Sequence, residues 1–219
     1  MKNLTVLLLL LIPSIIFADP PQKGGTSPAR GTPPAGVQAL HETYEKINDI
    51  EADFSQSVTF EGFDTTTDSK GKVYFKRGKM RWDYATPSRQ QIFVDGETVL
   101  HYTPENKQVL KGVLGKQTGL PIDLFFNVEK IEALFNLSQV KESTLILKPK
   151  EKGSQVVQMH VTLAPLPKLG GLFIQKIILH EENGNQSVFQ FSHFKINKAL
   201  SEQVFSFKVP DGVEQIDLP

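Results

Sequence analysis

Residues 71–104 read GKVYFKRGKMRWDYATPSRQQIFVDGETVLHYTP, and apolar and polar side chains alternate through most of this segment. Alternation with a period of two is typical of a strand that buries one face. Asp95-Gly96 marks a tight hairpin turn, because glycine adopts positive φ without steric cost. The segment therefore predicts four short strands that present one wide apolar face. The residues predicted to share it are Val73, Phe75 and Arg77, then Met80, Trp82 and Tyr84, then Ile92 and Val94, then Val99 or Leu100 with Tyr102.

The alternation continues on both sides of this segment. Further strands are predicted over 50–60, 107–110, 139–142, 144–149, 155–163, 172–180, 186–196 and 203–209. Apolar residues three and four apart predict an amphipathic helix over 37–49 and a second helical region over 121–135, which Asn127 divides. Consecutive strands joined by short turns favour an antiparallel meander, and so long a sheet must curl. We expect a mainly β fold: an unclosed, half-barrel antiparallel sheet of about eleven strands, with short helices as a lid over an apolar cavity.

The N-terminal part of the chain differs from the rest in composition. Residues 1–18 are predicted to be a cleaved signal peptide, since Lys2 precedes an apolar run shorter than a membrane-spanning helix. Residues 19–36, DPPQKGGTSPARGTPPAG, are rich in proline and glycine and should form a disordered segment. Residues 37–219 have the size of one all-β domain. We expect the mature protein to be exported and soluble.

Composition and motifs disfavour several classes of function. The 24 basic and 24 acidic residues balance, so charge-driven binding of nucleic acid is not indicated. The chain has no cysteine, which excludes disulfides, thiol catalysis and a lipid-modified cysteine anchor. The five histidines lack metal-site spacing, and no nucleophile-elbow, zinc-protease or dinucleotide motif is present. The sequence therefore predicts a protein that has no metal site or cofactor and is not an enzyme.

The aromatic residues of the predicted sheet allow two interpretations. They could pack a closed core, or one sheet face could line a cavity for an apolar ligand, since such cavities are mostly apolar. Arg77 bears on the choice, because alternation places it with Val73 and Phe75, where a charge needs a partner. Carbonyl groups at the C-terminus of a helix are suitable partners for a cation. In the alternative, Arg77 ends its strand and reaches solvent.

Five short motifs follow the amphipathic first helix in order. They are ADFSQ at 52–56, GKVYFKRGKMRWDY at 71–84, FVDGETVLHYTP at 93–104, LPIDLF at 120–125 and FSFKVPDGVEQID at 205–217. In their order and spacing they resemble the LolA family of periplasmic lipoprotein carriers. The resemblance covers roughly residues 37–217, and it implies an unclosed antiparallel barrel with a helical lid. The proline-rich segment before the domain is not typical of that family.

The resemblance also implies a function and partners. A monomeric carrier of this kind shields the acyl chains of lipoproteins in the periplasm. It receives them from an inner-membrane ABC-type lipoprotein-releasing complex and passes them to an outer-membrane lipoprotein receptor. In the family, an arginine before a proline bonds the lid helices. Counting from Gly71 places that arginine at Arg77, whereas counting back from Trp82 gives Lys76; Gly78 stands where the proline is expected. Arg77 is preferred because it keeps period two with Phe75.

On this basis the chain has a predicted binding surface and a predicted lid. The cavity residues are Phe54, Val73, Phe75, Met80, Trp82, Tyr84, Ile92, Val94, Leu100 and Tyr102; the lid residues are Leu40, Tyr44, Leu124, Phe125 and Phe126, with Arg77 as the latch. A carrier of another apolar ligand, such as a free lipid or glycolipid, is the alternative with the same fold. A receptor anchored in the outer membrane would need a lipidated cysteine, which the sequence lacks.

Overall fold

Twelve β-strands dominate the computed structural model, which describes residues 34–63, 65–114, 124–125, 127–141 and 143–218. The expected signal peptide and most of the proline-rich segment lie outside the described residues. The strands are β1 Asp49–Thr59, β2 Thr66–Lys76, β3 Lys79–Thr86, β4 Gln90–Asp95, β5 Thr98–Thr103, β6 Gln108–Val113, β7 Phe135–Lys141, β8 Thr144–Pro149, β9 Val156–Leu166, β10 Gly171–Glu181, β11 Gln186–Ile196 and β12 Glu214–Asp217.

The strands form one sheet in the order β12-β6-β5-β4-β3-β2-β1-β11-β10-β9-β8-β7. Two meanders, β1 to β6 and β7 to β11, are joined where β1 pairs antiparallel with β11. Within the described residues, β7 and β12 each have a neighbour on one side only, so the sheet does not close. The predicted mainly β, unclosed antiparallel architecture is therefore confirmed, with β12 as an addition that runs parallel to β6.

The end of the chain departs from the predicted pattern. The strand predicted over 203–209 is wrong, because Glu202–Phe205 forms a 3-10 helix and the last strand begins at Glu214. The Ser201 side chain accepts a hydrogen bond from the Gln203 N–H and so supports this helical turn. Phe205 is nevertheless buried. The apolar spacing there therefore reflects contact with the sheet rather than membership of it.

The helical pieces before β1 and before β7 are short and cover one side of the sheet. Helix α1 spans Ala35–Glu45, a 3-10 turn spans Val128–Lys130, and helix α2 spans Ile131–Leu134. The helix predicted over 37–49 ends earlier, because the Asn197 side-chain oxygen accepts the Asn48 N–H at 2.7 Å just before β1 begins. In the second region Leu124 and Phe125 are helical and Asn127 is not (φ −122°), so Asn127 divides it as predicted. Residues 121–123 and 126 lie outside the described residues.

The sheet has an inner face, which α1 covers, and an outer face. Cross-strand pairing aligns two inner rows: Ile50, Phe75, Met80, Val94 and Val99 form one, and Ala52, Val73, Trp82, Ile92 and His101 form the next. Helix α1 lies close to β10 at one point, since a Cβ added to Gly171 would stand 1.9 Å from Thr43 Oγ1. Glycine is therefore required there for α1 to sit at this depth.

The outer face is covered in part by the C-terminal segment. The Phe207 ring lies 4.9 Å from the Phe93 ring and 5.3 Å from the Tyr102 ring, centroid to centroid. Arg81 lies under the same segment: its guanidinium is 5.0 Å from the Phe93 centroid, and its Nη1 donates to the Val204 carbonyl at 3.0 Å. The outer side of β3 to β5 therefore has a small apolar cluster of its own.

Candidate functional site

The inner face carries most of the residues predicted from the sequence. Phe54, Val73, Phe75, Met80, Trp82, Ile92 and Val94 are all buried in the core cluster on this face. Trp82, the only tryptophan of the chain, is fully buried at its centre. The Trp82 ring lies 4.8 Å from Phe54 and 5.8 Å from Phe189, in edge-to-face arrangements. These contacts tie the two meanders together across the β1–β11 pair.

Tyr84 lies at the boundary of this apolar surface. Its ring is 4.9 Å from Phe54, while its hydroxyl donates to Gln56 Oε1 at 2.8 Å. Burial raises the pKa of Tyr84 well above its ordinary value, so the hydroxyl keeps its proton. The residue therefore joins an apolar ring to a polar group at one end of the inner face.

Leu100 and Tyr102 do not share the predicted surface. Leu100 pairs with Phe93 and Tyr102 with Gln91, which places both on the outer face. The inner-face residue of β5 is Val99, which pairs with Val94 and is buried. The Tyr102 ring contacts Phe207, which covers it on the outer face. The prediction for these two residues is corrected accordingly.

The second half of the inner face, on β8 to β11, is as apolar as the first and was not among the predicted site residues. Its buried residues are Leu145, Leu147, Met159, Val161, Leu163, Phe173, Ile174, Ile177, Leu179, Phe189 and Phe191. Their alternation is visible in the sequence, and the pairing of β1 with β11 is what makes them continuous with Phe54 and Trp82. The apolar surface thus extends across the whole half-barrel.

The lid consists of α1, of Leu124 and Phe125, and of residues 127–134. Leu40, Tyr44, Leu124 and Phe125 are buried against the inner face, while the predicted Phe126 lies outside the described residues. The Phe125 ring stands edge-on to Phe191 at 5.4 Å. The described lid side chains therefore occupy part of the concave side of the sheet. The two lid parts meet where His41 Nε2 lies 3.6 Å from Glu132 Oε2.

Arg77 lies in the β2–β3 turn, not within the strand, and it is exposed. Its Nη2 nevertheless donates to the Glu45 carbonyl at the end of α1, at 3.3 Å, and its guanidinium lies 5.7 Å from the Tyr44 ring centroid. Burial raises the pKa of Tyr44 to about 12, with a smaller contribution from Glu129, and Arg77 opposes the shift. Lys76 instead binds Glu202 on the outer side. Of the two latch candidates, Arg77 is therefore the one that contacts a lid helix.

A surface pocket of about 540 Å³ lies at the end of the inner face where Tyr84 and Gln90 stand, and both residues line it. Its lining includes Asp53, Lys72 and Asp83, which pair across β1, β2 and β3 on the outer face, and the exposed Arg89. Its walls are therefore charged, and Lys72 already binds Asp53 at 2.8 Å. The pocket therefore joins charged groups of the outer face to the polar end of the inner face, and it lies outside the buried apolar rows.

Metal-binding and membrane-spanning features were also sought in the described part of the chain. No group of three or more histidine, aspartate or glutamate side chains there could hold a metal ion. The helices of the described residues fall short of the length and apolar content that a bilayer crossing needs.

Comparison with known proteins agrees with this architecture. Residues 45–208 match the family model described as outer membrane lipoprotein carrier protein LolA. An outer-membrane lipoprotein carrier protein from Methylobacillus flagellatus is 30% identical over 189 residues, which cover 83% of this chain and 88% of that protein. A protein of the same name from Histophilus somni is 29% identical and covers 97% of this chain and 94% of its own length. This chain belongs to the LolA family.

A solved structure adds support for the fold alone. The LolA superfamily protein from Nitrosomonas europaea superposes with a TM-score of 0.52, at 11% sequence identity. The superposition covers 78% of this chain and 97% of that protein. The half-barrel is therefore shared by proteins whose sequences have diverged widely.

Proposed function

We propose that this protein is a periplasmic carrier that binds the acyl chains of lipoproteins on the inner face of its sheet. In this proposal it accepts lipoproteins from an inner-membrane ABC-type releasing complex and delivers them to an outer-membrane receptor. The observation that carries the proposal is the covering of the inner face. A continuous apolar surface with buried residues from ten of the twelve strands is covered by short helical pieces rather than by a second sheet. The names of the relatives support the same cargo.

The energetics explain why such a cover suits a carrier. Burying a methylene group contributes about 0.8 kcal/mol, so one acyl chain of sixteen carbons gains on the order of 10 kcal/mol on leaving water. An always open trough would hold such a cargo too tightly for release. If Leu40, Tyr44, Leu124 and Phe125 must leave the inner face first, the cost of exposing them offsets part of that gain. Binding then remains strong enough for solubility and weak enough for transfer.

Arg77 is proposed as a latch for α1. Its hydrogen bond to the Glu45 carbonyl and its position over Tyr44 stabilise the C-terminal turn of α1 against β2. The Arg77 side chain is itself exposed, so both contacts cost little free energy to break when cargo displaces the helix. Contacts of this strength favour the closed state of the lid and still allow it to open.

The experiment that tests the proposed function is release of a lipoprotein from membranes. Inner-membrane vesicles that contain the releasing complex and a labelled lipoprotein are incubated with ATP and the purified protein. We expect the label to appear in the supernatant, bound to the protein. A label that remains in the pellet contradicts the proposal. Mass spectrometry of lipids that copurify with the protein distinguishes a carrier of free lipid or glycolipid, since these would be found in place of acylated peptides.

A further inference from the structure

The inner face changes from apolar to polar at one end, on five consecutive strands. The polar residues are Gln56 on β1, Ser69 on β2, Tyr84 on β3, Gln90 on β4 and His101 on β5, which we call the polar band. Gln56 pairs with Ser69, Tyr84 pairs with Gln90, and His101 pairs with Ile92. Cross-strand register thus brings residues from distant parts of the sequence to three adjacent levels: His101 shares the level of Trp82, Tyr84 and Gln90 lie on the next, and Gln56 and Ser69 on the one after. All five are neither fully buried nor fully exposed.

The hydrogen bonds of the polar band leave donors unused. Tyr84 Oη donates to Gln56 Oε1 at 2.8 Å, and His101 Nε2 lies 2.8 Å from Gln90 Oε1. Gln90 Nε2 donates to Ser88 Oγ at 3.1 Å. In this arrangement the Gln56 amide N–H groups have no partner among the described residues. If the Gln56 amide is turned over, the Tyr84 hydroxyl hydrogen is unpaired instead, so at least one donor is available in either orientation.

The polar band is continuous with the apolar surface. The Tyr84 ring contacts Phe54, and the Phe54 ring contacts Trp82. Burial lowers the pKa of His101 below its ordinary value, so its ring is neutral near pH 7 and has one acceptor nitrogen and one donor. A ligand that lies along Trp82 and Phe54 therefore meets the hydrogen-bonding groups of the polar band as it leaves the apolar rows.

We propose that the polar band binds the carbonyl groups at the head of the lipid anchor, where ester bonds join the acyl chains to the glyceryl group. This inference rests on the proposed function. An ester carbonyl accepts hydrogen bonds and donates none, which matches the unpaired donor of Gln56 or Tyr84. The chains then lie on the apolar rows, and the cysteine and its peptide point away from Trp82. The polar band fixes the direction in which the anchor enters the half-barrel.

The test compares two synthetic lipopeptides that differ only in these carbonyl groups. One is a dipalmitoylglyceryl-cysteine peptide with ester bonds, and the other carries ether-linked sixteen-carbon chains on the same peptide. We expect the wild-type protein to bind the ester form about threefold to tenfold more tightly, as one or two net hydrogen bonds provide. Gln56→Leu should reduce this ratio to nearly one and leave the affinity for the ether form unchanged.

The matched control is Gln190→Leu, the same substitution at an exposed position on β11. It should keep the wild-type preference. Equal affinity of the wild type for both probes overturns the inference and leaves the proposed function standing, whereas failure to bind either probe overturns both. A Gln56→Leu variant that loses the same factor for both probes also contradicts the inference. If that variant does not fold, Gln90→Leu takes its place and the same ratio decides.

Discussion

Helix α1 can be loosened from the sheet by a single methyl group. Gly171 at the start of β10 faces Thr43 so closely that an added Cβ would stand 1.9 Å from Thr43 Oγ1. Ordinary contact needs roughly 1.5 Å more. Thr43 cannot turn away without loss, because its hydroxyl donates to the Ala39 carbonyl at 2.7 Å. In Gly171→Ala the helix must therefore lift from β10, and we expect the closed state of the lid to be destabilised.

The size of the effect follows from the usual cost of overpacking. An extra methyl group in a packed site destabilises by about 1–3 kcal/mol. If cargo binds only after the lid moves, the same free energy raises the apparent affinity by a factor of about 5 to 150, until the open state predominates. We expect Gly171→Ala to unfold at lower urea concentration and yet bind a dipalmitoyl lipopeptide more tightly. Equilibrium urea unfolding and fluorescence titration measure the two quantities on one sample.

Two further variants isolate the cause. In Gly112→Ala the new Cβ would meet Leu218 Cδ1 at 3.6 Å, an ordinary contact, so neither stability nor affinity should change much. Adding Thr43→Ala to Gly171→Ala removes the nearest atom and should restore most of the wild-type behaviour. The reasoning is refuted if Gly171→Ala loses stability while its affinity for the lipopeptide stays the same or falls.

Three other changes address separate parts of the molecule. Arg77→Leu removes the bond to the Glu45 carbonyl, so lipoprotein uptake should persist or strengthen while transfer to the receptor slows; unchanged transfer rates argue against a latch. Phe205→Ala should lower the free energy of unfolding by about 3 kcal/mol and leave lipopeptide affinity unchanged, because Phe205 is buried outside the inner-face cluster. Burial lowers the pKa of His101 in the folded state. Its contribution to the free energy of unfolding is therefore complete above its unfolded pKa of about 6.5 and declines as the pH falls below that value. His101→Gln should therefore lose less stability than the wild type between pH 7 and pH 5 in urea unfolding. If the free energies of unfolding of the two proteins change in parallel with pH, His101 is not the group responsible.

The predicted apolar face matches the observed inner face where the alternation of side chains and the turn residues indicate the same register. The Asp95-Gly96 turn fixes the pairing of Asp95 with Thr98, and that register places Val99 on the inner face. Alternation alone allowed either Val99 or Leu100 on the apolar face. The aromatic Tyr102 favoured Leu100, two residues before it, and both of these residues lie on the outer face. Alternation shows that two faces differ, but it does not show that a distant segment covers the second face. Phe207 provides that cover, so both faces of β5 have apolar residues.

Other differences have the same origin in long-range contacts. Phe205 and Phe207 have the spacing of apolar residues in a strand. They are apolar because this segment packs against the outer face of the sheet, not because it forms a strand. Arg77 keeps period two with Phe75, yet β2 ends one residue before it. The length of its side chain, rather than its strand position, brings it to Glu45. The polar band depends on the register of five strands, which local patterns along the sequence do not specify.

Trp82 provides the most direct test of the claim that acyl chains occupy the inner face beneath the lid. It is the sole tryptophan and is fully buried at the centre of that face, so its fluorescence reports on one place only. A lipopeptide with bromine atoms on its acyl chains should quench this fluorescence on binding, since bromine quenches at short range, and an unbrominated lipopeptide should not. Saturable binding of the brominated lipopeptide without any quenching of Trp82 would contradict the account.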